Sequence, residues 1–320
     1  LAPLWDLADE LKEALNVAKR PYESGLTLLE DPAFDEALTP LAEVLSTRDK
    51  RAREAGYQAL LADLQTKVDA PAEAVALTLW SLARAWLRSE ALEGRRQDGR
   101  APHELRAMEV RQAPLARAAG SALITRGSTQ VLVNVTHGHG DAPSSTGLLD
   151  RRSNTQLFCH YNFPPFATHE ARVSRAVSRR ELGHGMVIQR ALEPLFQPKK
   201  QNLMTRVRSD VLASDGSSSM LSVCAATLAL AEAGAPLLQP VVGVSVGLVS
   251  EPEGATLLMD ITGDEDFYGD MDLKVTGCAE GVTSLHLDNK LGALPWSVLS
   301  EALKAASEAH APLLGALAPF

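Results

Sequence analysis

The sequence predicts an α+β protein, a helical bundle at the N-terminus followed by a mixed β-sheet core with flanking helices. Three observations carry this. Up to about residue 93, apolar residues recur three or four apart, the period of a helix face. That period stops at the polar stretch Glu93-Gly94-Arg95-Arg96-Gln97-Asp98-Gly99-Arg100, which marks a domain boundary. Beyond it, short β-branched runs alternate with helical patterns, as in a sheet covered by helices. The expected domains are 1–95 and 96–320.

In the first domain Leu4, Leu7, Leu11 and Leu15 form one stripe, and Leu60, Leu61, Leu64 and Val68 another. Pro71 suits the first turn of a further helix, where its missing N–H costs nothing, and Ala74 to Leu92 continue it. Nothing in this bundle demands chemistry. In the second domain Gln130 to Val135 and Pro240 to Val249 read as strands. Arg179 to Leu195, Ser218 to Ala233 and Trp296 to His310 read as helices.

With 320 residues, 45% hydrophobic and 22% charged, the chain can bury a core without disulfides or a structural metal. Cys159, Cys224 and Cys278 lie far apart and form no CxxC pair, which fits a reducing compartment. No stretch supplies the roughly 20 apolar residues of a membrane span, so a soluble chain with no membrane partner is expected. Asp6, Asp9, Glu10, Lys12 and Glu13 exclude a signal-peptide core. The chain begins at Leu1 and not at Met, which predicts a processed or fragmentary N-terminus. A net charge of -9 argues against a uniformly basic nucleic-acid binder. The charge is nevertheless segregated. Residues 151–210 carry eleven Lys or Arg against four acids, whereas residues 211–272 carry ten acids and no Lys or Arg. Neighbouring blocks of this kind suit a site that holds both an anion and a metal.

Three constellations could carry chemistry. Ser214-Asp215-Gly216-Ser217-Ser218-Ser219-Met220 precedes a helix of small and apolar residues. A glycine turn would bring three hydroxyls to the free N–H groups of a helix N-terminus, an arrangement that binds phosphate, although one serine suffices for a plain cap. In Gly263-Asp264-Glu265-Asp266-Phe267-Tyr268-Gly269-Asp270-Met271-Asp272-Leu273-Lys274-Val275, a strand over 270–275 would put Asp270, Asp272 and Lys274 on one face. Clustered carboxylates suit a hard cation such as Mg²⁺; the bland alternative is an acidic surface turn. In Arg179-Arg180-Glu181-Leu182-Gly183-His184-Gly185, Arg180 and His184 share a face if the helix starts near Ser178. Guanidiniums and an imidazole there suit a phosphodiester.

Two motifs are set aside. Gly243-Val244-Ser245-Val246-Gly247 has the GxSxG spacing of serine hydrolases, but Ser245 lies inside a β-branched run with no helix after it. His137-Gly138-His139-Gly140-Asp141 resembles a metal triplet, yet a glycine-rich segment after a strand is more often a loop.

Taken in order, Gly120-Ser121-Ala122-Leu123-Ile124-Thr125-Arg126-Gly127-Ser128-Thr129-Gln130, His160-Tyr161-Asn162-Phe163-Pro164-Pro165, Arg179 to Gly185, Gly216 to Met220 and Gly263 to Lys274 resemble the second RNase PH-type core of polynucleotide phosphorylases. The resemblance runs from about Arg96 to His310, and the residues before it resemble the α-helical domain that joins the two cores of that family. It implies an RNase PH-like mixed sheet and 3'-to-5' phosphorolysis, in which inorganic phosphate attacks the RNA 3' end and releases nucleoside diphosphates. By resemblance Ser217, Ser218 and Ser219 would bind the phosphate. Asp266 and Asp272 would hold Mg²⁺ or Mn²⁺, with Lys274 beside them, and Arg179, Arg180 and His184 would orient single-stranded RNA. The family builds a ring, which implies a first-core RNase PH-type partner or same-family subunits.

Asp215 stands where an asparagine is usual, and Thr168 to Arg172 departs from a glycine-rich segment. Pro165 to Glu170 looks closer to organellar members, which implies a mitochondrial setting, with chloroplast or bacterial cytoplasm as alternatives. The rival to catalysis is a weak or inactive relative that serves as a structural subunit of a larger RNA–protein assembly.

Overall fold

The computed structural model describes residues 27–139, 156–173, 176–197 and 203–318. The expected stripe Leu4–Leu15 lies outside them, as do Gly140 and Asp141. The chain groups into two compact units, Leu1–Ala85 and Trp86–Phe320.

The described residues of the first unit are mainly helical, as their apolar period requires. Helix α1 (Pro32–Leu45) starts where the Asp31 carboxylate accepts from the Ala33 N–H at 2.9 Å, with Pro32 at its first position. It buries Phe34, Ala37, Leu41 and Leu45. Helix α2 (Lys50–Lys67) is capped by Asp49, which accepts from Ala52 N–H at 2.8 Å. Helix α3 (Ala72–Leu92) begins directly after Pro71. Val75 and Leu79 are fully buried along it.

The second unit is α+β. A five-stranded sheet has the order β1-β2-β3-β5-β4. Its strands are β1 (Met108–Gln112), β2 (Gly120–Arg126), β3 (Thr129–His139), β4 (Leu157–Asn162) and β5 (Leu203–Ala213). All its pairings are antiparallel except β4 with β5. A four-stranded antiparallel sheet has the order β7-β6-β8-β9. It comprises β6 (Val242–Glu251), β7 (Gly254–Met259), β8 (Met271–Cys278) and β9 (Gly281–Asn289).

Burial patterns show how the layers stack. In β5, Thr205, Val207 and Ser209 are buried while Arg206 and Arg208 are exposed, so the first sheet covers the core with one face only. Strands β6 and β8 are buried almost throughout, because both their faces are covered. Helix α5 (Ser218–Glu232) is apolar on all sides and packs against β2 and β3 of one sheet and β6 of the other. A helix of that composition has to be internal. Helix α7 (Trp296–Leu317) packs on β6 and β8. Helix α4 (Arg179–Leu192) runs beside α5 and packs on β4 and β9. It is started by a reciprocal Ser178–Glu181 capping box. The short helix α6 (Gly263–Tyr268) was not foreseen from the sequence; a second capping box, Thr262–Glu265, makes it. Among the described residues no helix is long and apolar enough to cross a membrane.

Candidate active site

The phosphate-loop candidate connects β5 to α5. Gly216 has φ of +85°, and a Cβ there would lie 2.5 Å from the Thr262 carbonyl carbon, so no other residue fits without displacing backbone. Ser217 follows, also left-handed at φ 54°. The loop is held by its backbone. Asp215 N–H donates to Thr129 Oγ1 at 2.9 Å, and that hydroxyl donates to Gly216 O at 3.0 Å. Ser217 caps the helix in position but makes no side-chain capping bond, so the first N–H groups of α5 are not blocked by it.

The three serines differ in their surroundings. Ser218 Oγ lies 2.7 Å from the Tyr161 hydroxyl. Ser217 Oγ is hydrogen-bonded to Ser245 Oγ and reaches Ile261 O at 3.3 Å. Ser219 Oγ is buried and has no hydrogen-bond partner among the described residues.

Sheet register brings the acidic segment to the same place. In the β6–β8 ladder Lys274 lies opposite Ser245, and Asp272 opposite Gly247. Directly opposed residues share a face, so Lys274 stands beside the serine that touches Ser217. The GxSxG spacing thereby has an explanation unrelated to a hydrolase elbow. A Cβ on Gly243 would lie 2.9 Å from Met220 Sδ, and one on Gly247 would lie 2.6 Å from Ile261 Cγ2. Small residues on this face let the loop and α5 settle onto the sheet.

Lys274 Nζ donates to Asp272 Oδ2, while Asp272 Oδ1 is buried with no partner among the described residues. Burial raises the Asp272 carboxyl above its ordinary range; Lys274 opposes this, and Asp266 and Asp288 add to it. Asp266 sits on α6, exposed, and is thus electrically coupled to Asp272. Among the described residues no three His, Cys, Asp or Glu side chains form a ready-made metal cage. The donor set, two coupled carboxylates with one oxygen orphaned, fits Mg²⁺ or Mn²⁺ completed by water and phosphate oxygens, the usual mode for Mg²⁺ at phosphates. Asp270, on the same stretch, does other work. Arg88 holds both its oxygens, each at 2.8 Å.

Helix α4 supplies the third group. His184 packs edge-on against the Tyr161 ring, with centroids 5.0 Å apart. Burial, reinforced by Arg180 and Lys274, lowers its pKa to about 3, so its imidazole is neutral at physiological pH. Its Nδ1 is buried and has no partner among the described residues. The Arg180 guanidinium lies 4.4 Å over the Phe163 ring. Arg179 is exposed at the start of the helix.

Sequence reasoning missed the charge network behind this site. The stretch 93–100, read as a boundary, contributes Arg96 and Arg100, both buried. Arg96 holds Glu265 of α6 through two bonds of 2.6 and 2.5 Å. Arg106 grips Asp260, which Arg126 also approaches at 3.4 Å. Burial alone would raise the Asp260 carboxyl, but Arg126 and Arg106 overcome this and hold it below the ordinary range. Nothing in the spacing of these residues announces their pairing. Tyr161 and Ser245 did carry a signal, one in the His160–Pro165 block and one in the GxSxG motif.

Comparison with known proteins agrees with this architecture. Residues 104–236 match the model of the 3' exoribonuclease family, domain 1 (RNase PH). The polyribonucleotide nucleotidyltransferase of Thermus thermophilus is 50% identical over 224 residues, 69% of this chain and 31% of that protein. The enzyme of the same name from Desulfotalea psychrophila is 37% identical over 323 residues, 98% of this chain and 46% of that protein. The chain therefore spans less than half the length of these relatives. Among solved structures, the Archaeoglobus fulgidus exosome with RNA bound to the active site contains a chain that superposes with a TM-score of 0.59 at 21% identity, covering 72% of this chain and 95% of that one. The second unit of this protein is an RNase PH core of the 3' exoribonuclease family, of the kind carried by polyribonucleotide nucleotidyltransferases.

Proposed function

We propose that this chain is the catalytic-core portion of a phosphorolytic 3'-to-5' exoribonuclease. The observation that carries the reading is the convergence, by β6–β8 register, of a serine-rich helix N-terminus with Lys274 and the half-satisfied carboxylate of Asp272. Inorganic phosphate is taken up by Ser217, Ser218 and Ser219 together with the α5 N–H groups and the positive end of its dipole. Arg179 and Arg180 pair with phosphodiester oxygens near the RNA 3' end. Neutral His184 offers a ring nitrogen to the RNA without adding charge. Asp266 and Asp272 would hold a divalent cation, which when bound neutralises charge on the phosphoryl oxygens. Lys274 supplies a fixed positive charge at the same point.

A phosphate oxygen forms a bond to the 3'-terminal phosphorus as the bond to the preceding O3' breaks. That O3' takes the proton that the attacking hydrogen phosphate gives up, and the products are one nucleoside diphosphate and an RNA shorter by one nucleotide. Such a transfer needs positioning and charge neutralisation rather than a covalent nucleophile. The solved exosome with RNA bound to the active site, which contains a chain of the same fold, supports RNA as the substrate class; we take it to be single-stranded, in a ring completed by a first-core RNase PH-type partner or same-family subunits. The bacterial origin of the named relatives supports a bacterial cytoplasm rather than an organelle as the setting.

The test is incubation of the protein with single-stranded RNA, Mg²⁺ and labelled inorganic phosphate, with Asp272→Ala as control. Labelled nucleoside diphosphates that vanish in the variant are expected. No label release, even with a first-core partner supplied, would overturn the proposal.

A further inference from the structure

We propose that Tyr161 and Ser245 are positioning residues that donate hydrogen bonds into two hydroxyls of the phosphate loop, Ser218 and Ser217, so that each serine keeps its own hydrogen for the incoming anion. The inference rests on the phosphate-binding reading of that loop.

A phosphate dianion is chiefly an acceptor, so a serine helps to bind it only by donating. A serine hydroxyl has one hydrogen and two lone pairs. If its hydrogen is already given to a protein neighbour, it turns a lone pair towards the anion and repels it. The loop therefore needs neighbours that donate to its serines. The structure supplies one from each sheet.

Tyr161 comes from β4 of the five-stranded sheet and is 3% exposed. Its hydroxyl lies 2.7 Å from Ser218 Oγ. Burial holds the phenol well above its ordinary range, so it keeps its proton. Among the described residues Ser218 Oγ is the partner of that hydroxyl, and an undonated buried O–H is unfavourable. The phenol therefore donates, and Ser218 accepts.

Ser245 comes from β6 of the other sheet and is fully buried. Its Oγ accepts from the Ile261 N–H at 3.2 Å, which leaves its hydrogen for Ser217 Oγ. Ser217 in turn directs its hydrogen at Ile261 O over 3.3 Å, a long contact. An anion, whose charge-assisted bonds are about twice as strong, competes well for it. Ser219, with no partner, has no such supplier.

The experiment is calorimetric titration of the purified chain with inorganic phosphate. Tyr161→Phe keeps the ring against His184, and Ser245→Ala removes one oxygen. Each is expected to weaken phosphate binding by about five- to tenfold, the worth of one hydrogen bond. Thermal unfolding of Tyr161→Phe should stay near that of the wild type, whereas Ser245→Ala also leaves the Ile261 N–H without its acceptor and unfolds somewhat lower. The decisive readout is the double variant. If Tyr161 acts through Ser218, then Tyr161→Phe adds nothing in a Ser218→Ala background, and Ser245→Ala adds nothing in a Ser217→Ala background. Additive losses would assign both residues a merely structural role and overturn the inference. So would single variants that bind as the wild type does while Ser218→Ala loses affinity, an outcome that spares the phosphate site. A wild-type chain that binds no phosphate would remove the site and the inference together.

Discussion

Arg106 holds Asp260 by two parallel hydrogen bonds, 2.9 Å from Nε to Oδ2 and 2.8 Å from Nη2 to Oδ1. The same guanidinium donates to the Asp215 carbonyl at 2.7 Å. One side chain thus ties the candidate phosphate loop to the turn that leads into α6, and both halves of the candidate site share one internal anchor. Asp260 itself is left-handed, at φ 51°.

The Asp260→Asn variant isolates the charge in this anchor. Asparagine tolerates the left-handed region, so the backbone is kept. Arg106 and Arg126, both buried, are then left without their counter-charge. Breaking a buried pair in this way costs about 3–5 kcal/mol. Denaturant titration of the variant should show a loss of that size. A loss below about 1 kcal/mol would mean that the neighbouring carbonyls alone satisfy the arginines.

Gly216→Ala tests the loop more directly. The new Cβ would meet three backbone atoms of Ile261, Thr262 and Gly263 at 2.5–2.7 Å, on a residue with φ of +85°. None of these atoms is the flexible end of a side chain, so the loop or α6 has to move. Phosphate affinity should fall beyond detection while the sheets, whose ladders do not include the residue, keep their circular dichroism. Unchanged phosphate binding would show that the turn conformation is not required.

His184 gives a pH prediction. The unfolded chain protonates this imidazole near 6.5, whereas burial and Arg180 lower the folded value to about 3. Between these values the unfolded state binds more protons, so stability falls as the pH drops below 6.5. This contribution is fully present above 6.5. A His184→Gln variant should therefore lose less stability between pH 7 and pH 4 than the wild type does. In NMR titration the His184 ring resonances should stay constant from pH 8 to about 4.5; a midpoint near 6.5 would contradict the burial argument.

Legibility in the sequence followed the range of the interactions. Helix α4 begins at Arg179 as expected, because Ser178 and Glu181 write its start within four residues. Helix α5 begins at Ser218 as expected, directly after the left-handed Gly216 and Ser217, and Trp296 opens α7 after Pro295. That helix runs on to Leu317, past the expected end at His310, because Ala309, Leu313 and Leu317 continue its buried stripe. What escaped was non-local. Arg96 meets Glu265 and Arg88 meets Asp270 across more than 160 positions, and no period or motif encodes such a pairing. The GxSxG segment lies inside strand β6, as its β-branched run implies, but its place under the candidate phosphate loop follows only from the β6–β8 register. Asp272 and Lys274 were legible as neighbours on one strand face. That one Asp272 oxygen is left without a partner was not, since it depends on which side chains surround the strand.

That orphaned oxygen gives the last prediction. With Oδ2 on Lys274 and Oδ1 enclosed without a partner, Asp272 is arranged to accept one more positive group. Asp266 offers a second carboxylate, coupled to the first through space. Mn²⁺ titrated into the chain and followed by its free-ion electron paramagnetic resonance signal should bind at this point. Asp272→Asn preserves shape and removes charge, and Lys274 still has Asp288 at 3.7 Å. Its Mn²⁺ affinity should fall by more than the roughly 10–100-fold that loss of an outer-shell partner costs. Asp266→Asn should weaken binding as well, but by less, because Asp266 is exposed and water can replace its oxygen. Saturating phosphate should tighten Mn²⁺ binding in the wild type, since a bound phosphate supplies further oxygen ligands. Mn²⁺ affinity unaffected by Asp272→Asn would place the ion elsewhere and leave Lys274 alone as the source of positive charge at this site.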